Sequence, residues 1–309
     1  MDFGVHLPLL DFQRSGYSLT RLRDYTETAR KLGYKAIAAN DHMVFSRPWL
    51  DGLTALSALL DLTGDMALMT TVALPAIRGP VALAKALAAI DLLSGGRVIA
   101  GVGPGSSARD YEAVGVAFEE RWQRLDESVL AMRSLWNPDA PPFIGQFYDT
   151  QDIDMQPRPA QKSGPPIWIG SWGSEAGLRR VARLADGWLA SGYNTTPSRF
   201  TASLERLREQ LAKHGKDAEG FPNAIATMWF FVTNDRAEAD HMLRDVLTPT
   251  LGRDEGELRG RLPIGPPDEC AQKLTAYQNA GRILLWPLAN EVEQITRFME
   301  QVVPLLSAK

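Results

Sequence analysis

The chain is nearly devoid of cysteine. Its one thiol in 309 residues, Cys270, cannot close an internal disulfide, which excludes a disulfide-stapled scaffold and fits a reducing compartment. There is no Cys-x-x-Cys pair, and the four histidines, His6, His42, His214 and His241, lack metal-ligand spacing, so no metal site is expected. Neither sign of charge is in large excess. Lys and Arg number 33 against 37 Asp and Glu, a net charge of −4, which gives no electrostatic footprint for nucleic acid or an anionic membrane as partner. Long apolar runs are missing as well. The most apolar stretch, Val81 to Leu93, is interrupted by Lys85 and Asp91 and is too short to span a bilayer. Met1 to His6 has neither the basic start nor the apolar core of a secretory signal, so a soluble, cytoplasmic protein is expected. The absence of a G-x-S-x-G elbow argues against a serine hydrolase, and the absence of paired carboxylates at strand ends argues against glycoside hydrolysis.

What is present is a large apolar fraction, 45%, arranged with a regular rhythm. A chain this long buries about three quarters of its surface on folding, enough for a core without metal or disulfides. Short apolar runs at Phe3–Leu7, Ala36–Ala39, Leu68–Leu74, Val98–Val102, Ile167–Gly170, Gly187–Ala190, Ala224–Val232 and Arg282–Trp286 read as strands. Each is followed by a segment of helical period. Leu19, Leu22, Tyr25, Ala29 and Leu32 mark the first of these, with Ser18 placed as N-cap and Gly33 just past its end. Eight strand–helix units predict a parallel (β/α)8 TIM barrel, read as one domain over 1–309 with insertions near 106–166 and 248–266. A doubly wound sheet would carry its glycine fingerprint after the first strand, where Leu7-Pro8-Leu9-Leu10 stands instead.

A barrel keeps its active site at the C-terminal ends of its strands, so the residues that follow each strand are the candidates. His42 follows the second strand with Asp41 beside it, which would let a pocket tune the imidazole. His6 also lies near the mouth, as a packed residue or a functional one. Gly101-Val102-Gly103-Pro104-Gly105 follows the fourth strand without G-x-G-x-x-G spacing. It suits either a tight turn or close approach of backbone to a flat ring or phosphate. Ser171-Trp172-Gly173-Ser174 opens a helix, where Ser174 could be a plain N-cap or part of an anion site. Trp168, Trp188 and Trp229 read as core, whereas Trp172 and Trp286 fall where a ligand would lie.

Several segments, in their order and spacing, carry a family resemblance. They are Asn40-Asp41-His42, Leu74-Pro75-Ala76-Ile77-Arg78-Gly79-Pro80, Gly96 through Gly105, Glu120-Arg121-Trp122, Arg133-Ser134-Leu135-Trp136 and Ala185-Asp186-Gly187-Trp188. With these the chain resembles, over nearly its whole length, the bacterial luciferase-like monooxygenases, a superfamily of barrels that use FMN or the deazaflavin coenzyme F420. The resemblance implies a flavin- or deazaflavin-dependent oxidoreductase or monooxygenase acting on a small organic substrate at the barrel mouth. It implies that His42 handles a proton beside the reactive ring and that Asp41 contacts the cofactor. Thr71 and Val72 match a third-strand bulge that backs the ring and often holds a non-prolyl cis peptide. Gly103, Pro104 and Gly105 match the loop along the ring and its polyol, and Trp172, Gly173 and Ser174 match the phosphate-binding segment. Sugar-phosphate dehydrogenases of the superfamily carry a glutamate just after the fourth-strand loop; Ser106 stands there, which argues against that substrate. A separate reductase and a homodimer are further expectations from the resemblance. The competing reading is a non-catalytic flavin-binding barrel.

Overall fold

In the computed structural model, which describes residues 1–12, 14 and 16–306, the strands are β1 (Asp2–His6), β2 (Ala36–Ala39), β3 (Ala67–Thr70), β4 (Val98–Val102), β5 (Ile167–Gly170), β6 (Gly187–Ser191), β7 (Asn223–Val232), β8 (Ile264–Gly265) and β9 (Arg282–Pro287). Strands β1 to β7 and β9 pair in parallel, each with its successor, and β9 closes the ring onto β1. This is the expected eight-stranded barrel with helices outside it. Strand β8 lies off the ring, on the end of β7. It was not foreseen, because two residues carry no periodicity.

Alternate residues of a barrel strand face inward. The interior is filled by Ala36, Ala38, Met69, Trp168, Leu189, Ala224, Ala226 and Leu284, so it is a packed core and no channel. Small residues on β2 and β7 leave room for the one large ring, Trp168. Two glycines are forced by this crowding. A Cβ at Gly187 would strike the Trp168 indole, and one at Gly101 would strike the Thr70 carbonyl. Along β9 the inward parity runs Arg282, Leu284, Trp286, so Trp286 tops the barrel at its C-terminal end.

The outer helices keep their expected signals. Ser18 accepts a hydrogen bond from the Arg21 N–H at 3.1 Å and caps the helix Leu19–Lys31, and Gly33 follows it at φ +84°. The Trp136 indole donates to the Ala84 carbonyl at 3.0 Å, tying the helix Arg121–Trp136 to the helix Pro80–Ser94. Two boundaries differ from expectation. Strand β3 ends at Thr70 rather than Leu74, because the chain leaves the ladder at Thr71–Val72, a cis peptide bond, and returns only at Ala73, which bridges to Val102. The segment of helical period that follows β7 is α-helical only over Arg236–His241 and widens into π turns over Met242–Leu247.

The 248–266 stretch and the first part of 106–166 lie at the mouth end, while the rest of 106–166 returns to the start of β4, where Gln161 donates to Asp91 and to the Val98 carbonyl. The segment after β4 forms a short helix, Ala108–Ala113, before the helix Arg121–Trp136. Its irregular part is pinned by Glu127, whose carboxylate accepts from the N–H groups of Gln146, Phe147 and Tyr148. The 248–266 stretch holds the helices Thr248–Leu251 and Glu255–Arg261. No described helix is long and apolar enough to cross a membrane.

Candidate active site

His42 sits where β2 opens into the mouth. Its Nδ1 lies 2.7 Å from Oδ2 of Asp110, and the side chain is 17% exposed while that of Asp110 is 1% exposed. Asp110 comes from the short helix Ala108–Ala113, whose N-cap is Ser107. Its other oxygen accepts from the N–H groups of Met43 and Val44, at 3.0 and 2.7 Å. Burial alone would raise the Asp110 carboxyl, but these donors, the His42 ring foremost, hold it below the usual carboxylate range. An ionised carboxylate only accepts, so His42 carries its proton on Nδ1 and presents Nε2 as the free nitrogen. The rings of Phe45 and Trp49 flank the imidazole, at centroid distances of 4.7 and 4.6 Å.

Asp41, the neighbour of His42 in sequence, does not pair with it. Asp41 is engaged by Arg78 through two hydrogen bonds of 2.7 Å, Nε to Oδ2 and Nη2 to Oδ1, and by the Leu74 N–H at 3.1 Å. Arg78 also pairs with Asp51, the N-cap of the helix Gly52–Ser57. Asp41 therefore anchors the exits of β2 and β3 to one another. Asp110 was missed because it lies 68 residues from His42. Only the S-x-x-D spacing from Ser107, a helix start just after the glycine loop, hinted that a carboxylate belongs there.

A second polar chain crosses the top of the barrel. His6 is fully buried and stacks on Trp286 at 4.5 Å, with an interplanar angle of 6°. Its Nε2 accepts from the Thr227 N–H at 3.1 Å, which leaves the proton on Nδ1, 3.4 Å from Thr71 Oγ1. The Thr71 hydroxyl donates in turn to Asn40 Oδ1 at 3.0 Å. Burial pushes the His6 imidazole down to about 3, so it is neutral at any ordinary pH. Of the two readings left open for His6, packing holds.

Val72 leans across to the β4 and β5 exits. A Cβ at Gly103 would fall 2.7 Å from Val72 Cγ2, and one at Gly170 3.1 Å from Val72 Cγ1. These glycines leave room for the Val72 methyl groups against the backbone at both exits, so the three residues form one shelf. Gly105 adopts φ +71° against Leu74, and the Pro104 carbonyl accepts from the Tyr111 hydroxyl. Trp172, Gly173 and Ser174 stand apart, at the β5 exit, and no hydrogen bond or ring contact among the described residues joins them to His42. Ser174 caps the helix Glu175–Leu184 through the Gly177 N–H at 3.2 Å, and Trp172 is 56% exposed. From the 248–266 stretch, Arg253 reaches to 5.8 Å above the Trp172 ring and donates to Asn194 Oδ1 at 2.9 Å. Among the described residues it has no carboxylate partner. Ser174's cap leaves other first-turn N–H groups of that helix without intrahelical acceptors.

A glycine-lined shelf at one side of the mouth, and a guanidinium with a helix N-terminus at the other, suit a ring carrying a phosphate. The residues present thus fit a flavin-type cofactor. The comparisons point to oxidoreductases that use flavins or deazaflavins. The model of the luciferase-like monooxygenase family matches residues 1–282, and the chain belongs to that family. It is 28% identical over 290 residues to an F420-dependent glucose-6-phosphate dehydrogenase of Segniliparus rotundus, covering 84% of this chain and 85% of that protein. An uncharacterized Mycobacterium tuberculosis protein is 33% identical over 218 residues, 69% of this chain and 74% of that protein. In fold, the chain matches an F420-dependent secondary alcohol dehydrogenase in complex with an F420-acetone adduct at TM-score 0.85, with 18% identity and 98% of each chain covered. It matches the monooxygenase RslO1 from Streptomyces bottropensis at TM-score 0.83, with 21% identity and 98% and 99% covered.

Proposed function

We propose that this chain is an oxidoreductase that moves a hydride between coenzyme F420 and a small organic substrate, with His42 managing the accompanying proton. The observation that carries this reading is the His42–Asp110 pair at 2.7 Å, with Nε2 turned free at the mouth. When bound, the deazaflavin supplies the hydride chemistry. The chain's own residues do the rest. Asp110 fixes the imidazole's tautomer and stabilises the ring when it is protonated, as a carboxylate behind a general base does. In the alcohol-to-carbonyl direction Nε2 takes the hydroxyl proton; in the reverse direction it returns it. The shelf of Val72, Gly103 and Gly170 supports a flat ring. Trp172, Gly173, Ser174 and Arg253 hold the phosphate, and Asp41 with Arg78 braces the loop beneath.

F420 is preferred over FMN on two grounds. Curated relatives over most of the chain are named F420-dependent. At the phosphate end, Arg253, which has no carboxylate partner among the described residues, lies over the half-exposed Trp172, and a cation there suits an anionic tail that FMN lacks. Ser106 in place of a glutamate, and the aromatic flank of His42, favour a substrate other than a sugar phosphate. Reduced coenzyme would come from a separate reductase, and the working unit would be a homodimer.

The test is a pair of equilibrium titrations of purified protein, with F420 and with FMN. F420 should bind at least about tenfold more tightly, a difference of about 1.4 kcal/mol. Tighter FMN binding would redirect the reading to oxygen chemistry on a reduced flavin. F420 binding without turnover across alcohols, ketones and activated alkenes would support the non-catalytic binder. Binding of neither cofactor overturns the proposal.

A further inference from the structure

The barrel interior is apolar until its uppermost layer. Ala36 and Ala38 on β2, Met69 on β3 and Leu284 on β9 belong to its filling. The next inward positions, after Gly4, Ala38 and Met69, carry His6, Asn40 and Thr71 instead. His6 and Thr71 are buried, so this polar layer has to satisfy its own hydrogen bonds.

It does so in one direction. Thr227 starts the chain. It adopts φ +54° where β7 shifts register against β9, a left-handed conformation that costs a β-branched residue about 1–3 kcal/mol. From there its N–H donates to His6 Nε2 at 3.1 Å. A backbone N–H only donates, so Nε2 only accepts. The neutral imidazole then holds its proton on Nδ1, whose partner is Thr71 Oγ1 at 3.4 Å. With that oxygen accepting, the Thr71 hydrogen goes to Asn40 Oδ1 at 3.0 Å. This last link fixes which way round the amide stands: Oδ1 faces Thr71, and Nδ2 is turned away from it. Asn40 is half-buried, and its Nδ2 has no partner among the described residues yet is not sealed from solvent. The interior below is packed, so solvent reaches Nδ2 from the mouth. An amide nitrogen only donates. The chain thus ends in a donor held toward the mouth.

We propose that Asn40 is a further cofactor-binding residue, its Nδ2 donating to a carbonyl oxygen of the ring seated on the shelf of Val72, Gly103 and Gly170, and that Thr227, His6 and Thr71 are positioning residues that hold the amide that way round. This rests on the reading of the mouth as a flavin-type cofactor site. Asn40 is tied to Thr71, the residue before Val72, so what it meets is an edge of whatever the shelf supports. Flavin and deazaflavin rings both carry carbonyl oxygens at one edge. A ring that has taken up a hydride holds one more negative charge, and a hydrogen bond to a charged acceptor is about twice as strong as one to a neutral acceptor. Asn40 therefore holds the reduced ring more tightly than the oxidised one. His6, packed and neutral, passes orientation along the chain and no proton.

The test is Asn40→Leu, which keeps the size of the side chain and removes the donor. Oxidised and reduced F420 are each titrated anaerobically into wild type and variant. The oxidised form should bind about threefold more weakly to the variant and the reduced form about 30-fold more weakly. That tenfold change in their ratio lowers the midpoint potential of the bound two-electron couple by about 30 mV. A merely structural defect would weaken both forms alike. Equal losses for the two forms, or no loss, overturn the proposal. Thr71→Val keeps the shape and breaks the chain, and should show a reduced-form loss of about threefold or more beyond any loss of the oxidised form. Thr71→Ser keeps the hydroxyl and should stay within about twofold of wild type. A wild-type ratio in Thr71→Val overturns the positioning chain. If Asn40→Leu does not fold, the Thr71 pair decides. In protein without cofactor, the ¹⁵N resonances of His6 should show a protonated Nδ1 and a bare Nε2, and the reverse tautomer also overturns the chain. If the wild type binds FMN and not F420, the hydride-transfer reading fails, while the same comparison with oxidised and reduced FMN still decides Asn40. Binding of neither overturns both.

Discussion

Asp110 acts on chemistry only through His42, and its effect can be separated from binding. Asp110→Asn keeps the shape but offers an amide, which no longer fixes the Nδ1–H tautomer or stabilises a protonated ring. Turnover should fall about 10- to 100-fold, as for other residues that orient a working histidine, with F420 affinity unchanged. His42→Ala should lose more turnover and also leave F420 affinity unchanged. Rescue separates positioning from mere structure: Asp110→Glu, which keeps a carboxylate acceptor for the Nδ1–H, should recover part of the turnover that Asp110→Asn loses. A Glu variant no more active than the Asn variant would remove Asp110 from the role. The pair was only half legible in the sequence. His42 stood out because it directly follows a strand, but chemistry across the mouth depends on where an insertion folds back, and neighbours in sequence say nothing of that. Asp41 is the nearer carboxylate in sequence, but Arg78 claims it.

His6 gives a residue-scale prediction of another kind. Its folded-state value of about 3 lies far below the ordinary 6.5 of an imidazole. Below pH 6.5 the unfolded chain takes up a proton at this position that the folded chain refuses, so stability rises with pH in this window. It should therefore be lost as pH falls from 6.5 toward 3, at up to about 1.4 kcal/mol per pH unit. Asp110 has the same sign but acts later, below its ordinary value near 4, as pH falls through its depressed folded value. Urea unfolding at pH 7.5, 6.0 and 5.0 should show the decline in the wild type. His6→Gln, whatever its overall cost, should flatten it. An unchanged slope in that variant would assign the decline to other groups.

At the scale of elements, Arg78 is the junction. It follows the bulge after β3, clamps Asp41 at the exit of β2, and reaches the N-cap of the helix Gly52–Ser57. Burial works against its charge, and the two carboxylates more than restore it, so the guanidinium stays protonated throughout. Replacing it with Met would leave Asp41, which is 6% exposed, as a buried carboxylate without its counter-charge. The expected cost is about 3 kcal/mol, read by chemical unfolding. Arg78→Lys should recover only part, because an ammonium cannot make the two-pronged contact. A cost below about 0.5 kcal/mol would mean the pair is solvated and the junction weak. This scale was the most readable in sequence. Ser18, Gly33 and Ser174 occupy the cap positions that side-chain chemistry dictates, and all eight ring strands lie where apolar runs put them. The misses have physical causes. Strand β3 was drawn too long because Thr71 to Leu74 is as apolar as the strand before it, and periodicity does not register a turn out of the ladder. Likewise, π turns at Met242–Leu247 leave the apolar spacing of a helix almost unchanged.

For the molecule as a whole, the barrel separates stability from function along its axis. Leu284 sits one inward step below Trp286, packed over Gly4, where a Cβ would fall 2.6 Å from the leucine Cδ2. It belongs to the interior cluster with Met69 and Trp168, against which Val72 of the shelf also packs. Leu284→Ala removes buried methyl groups from a site whose surrounding strands cannot collapse, a loss of about 2–5 kcal/mol. In a chain of this size that lowers the melting temperature by roughly 3–8 °C. The cofactor's contribution to stability, in contrast, depends only on its concentration relative to its dissociation constant, and is about 2.7 kcal/mol at a hundredfold excess. If the mouth is held by its own network of Asp41, Arg78 and Asp110, F420 should raise the stability of wild type and Leu284→Ala by the same free energy, with dissociation constants within about threefold. A dissociation constant more than about tenfold weaker in Leu284→Ala would mean that the core layer shapes the cofactor shelf directly, and the separation would fail. Trp286, on which His6 stacks, is one inward step above Leu284, which makes this a demanding comparison: the effect of the lost methyl groups has only that one layer to cross before it reaches the mouth.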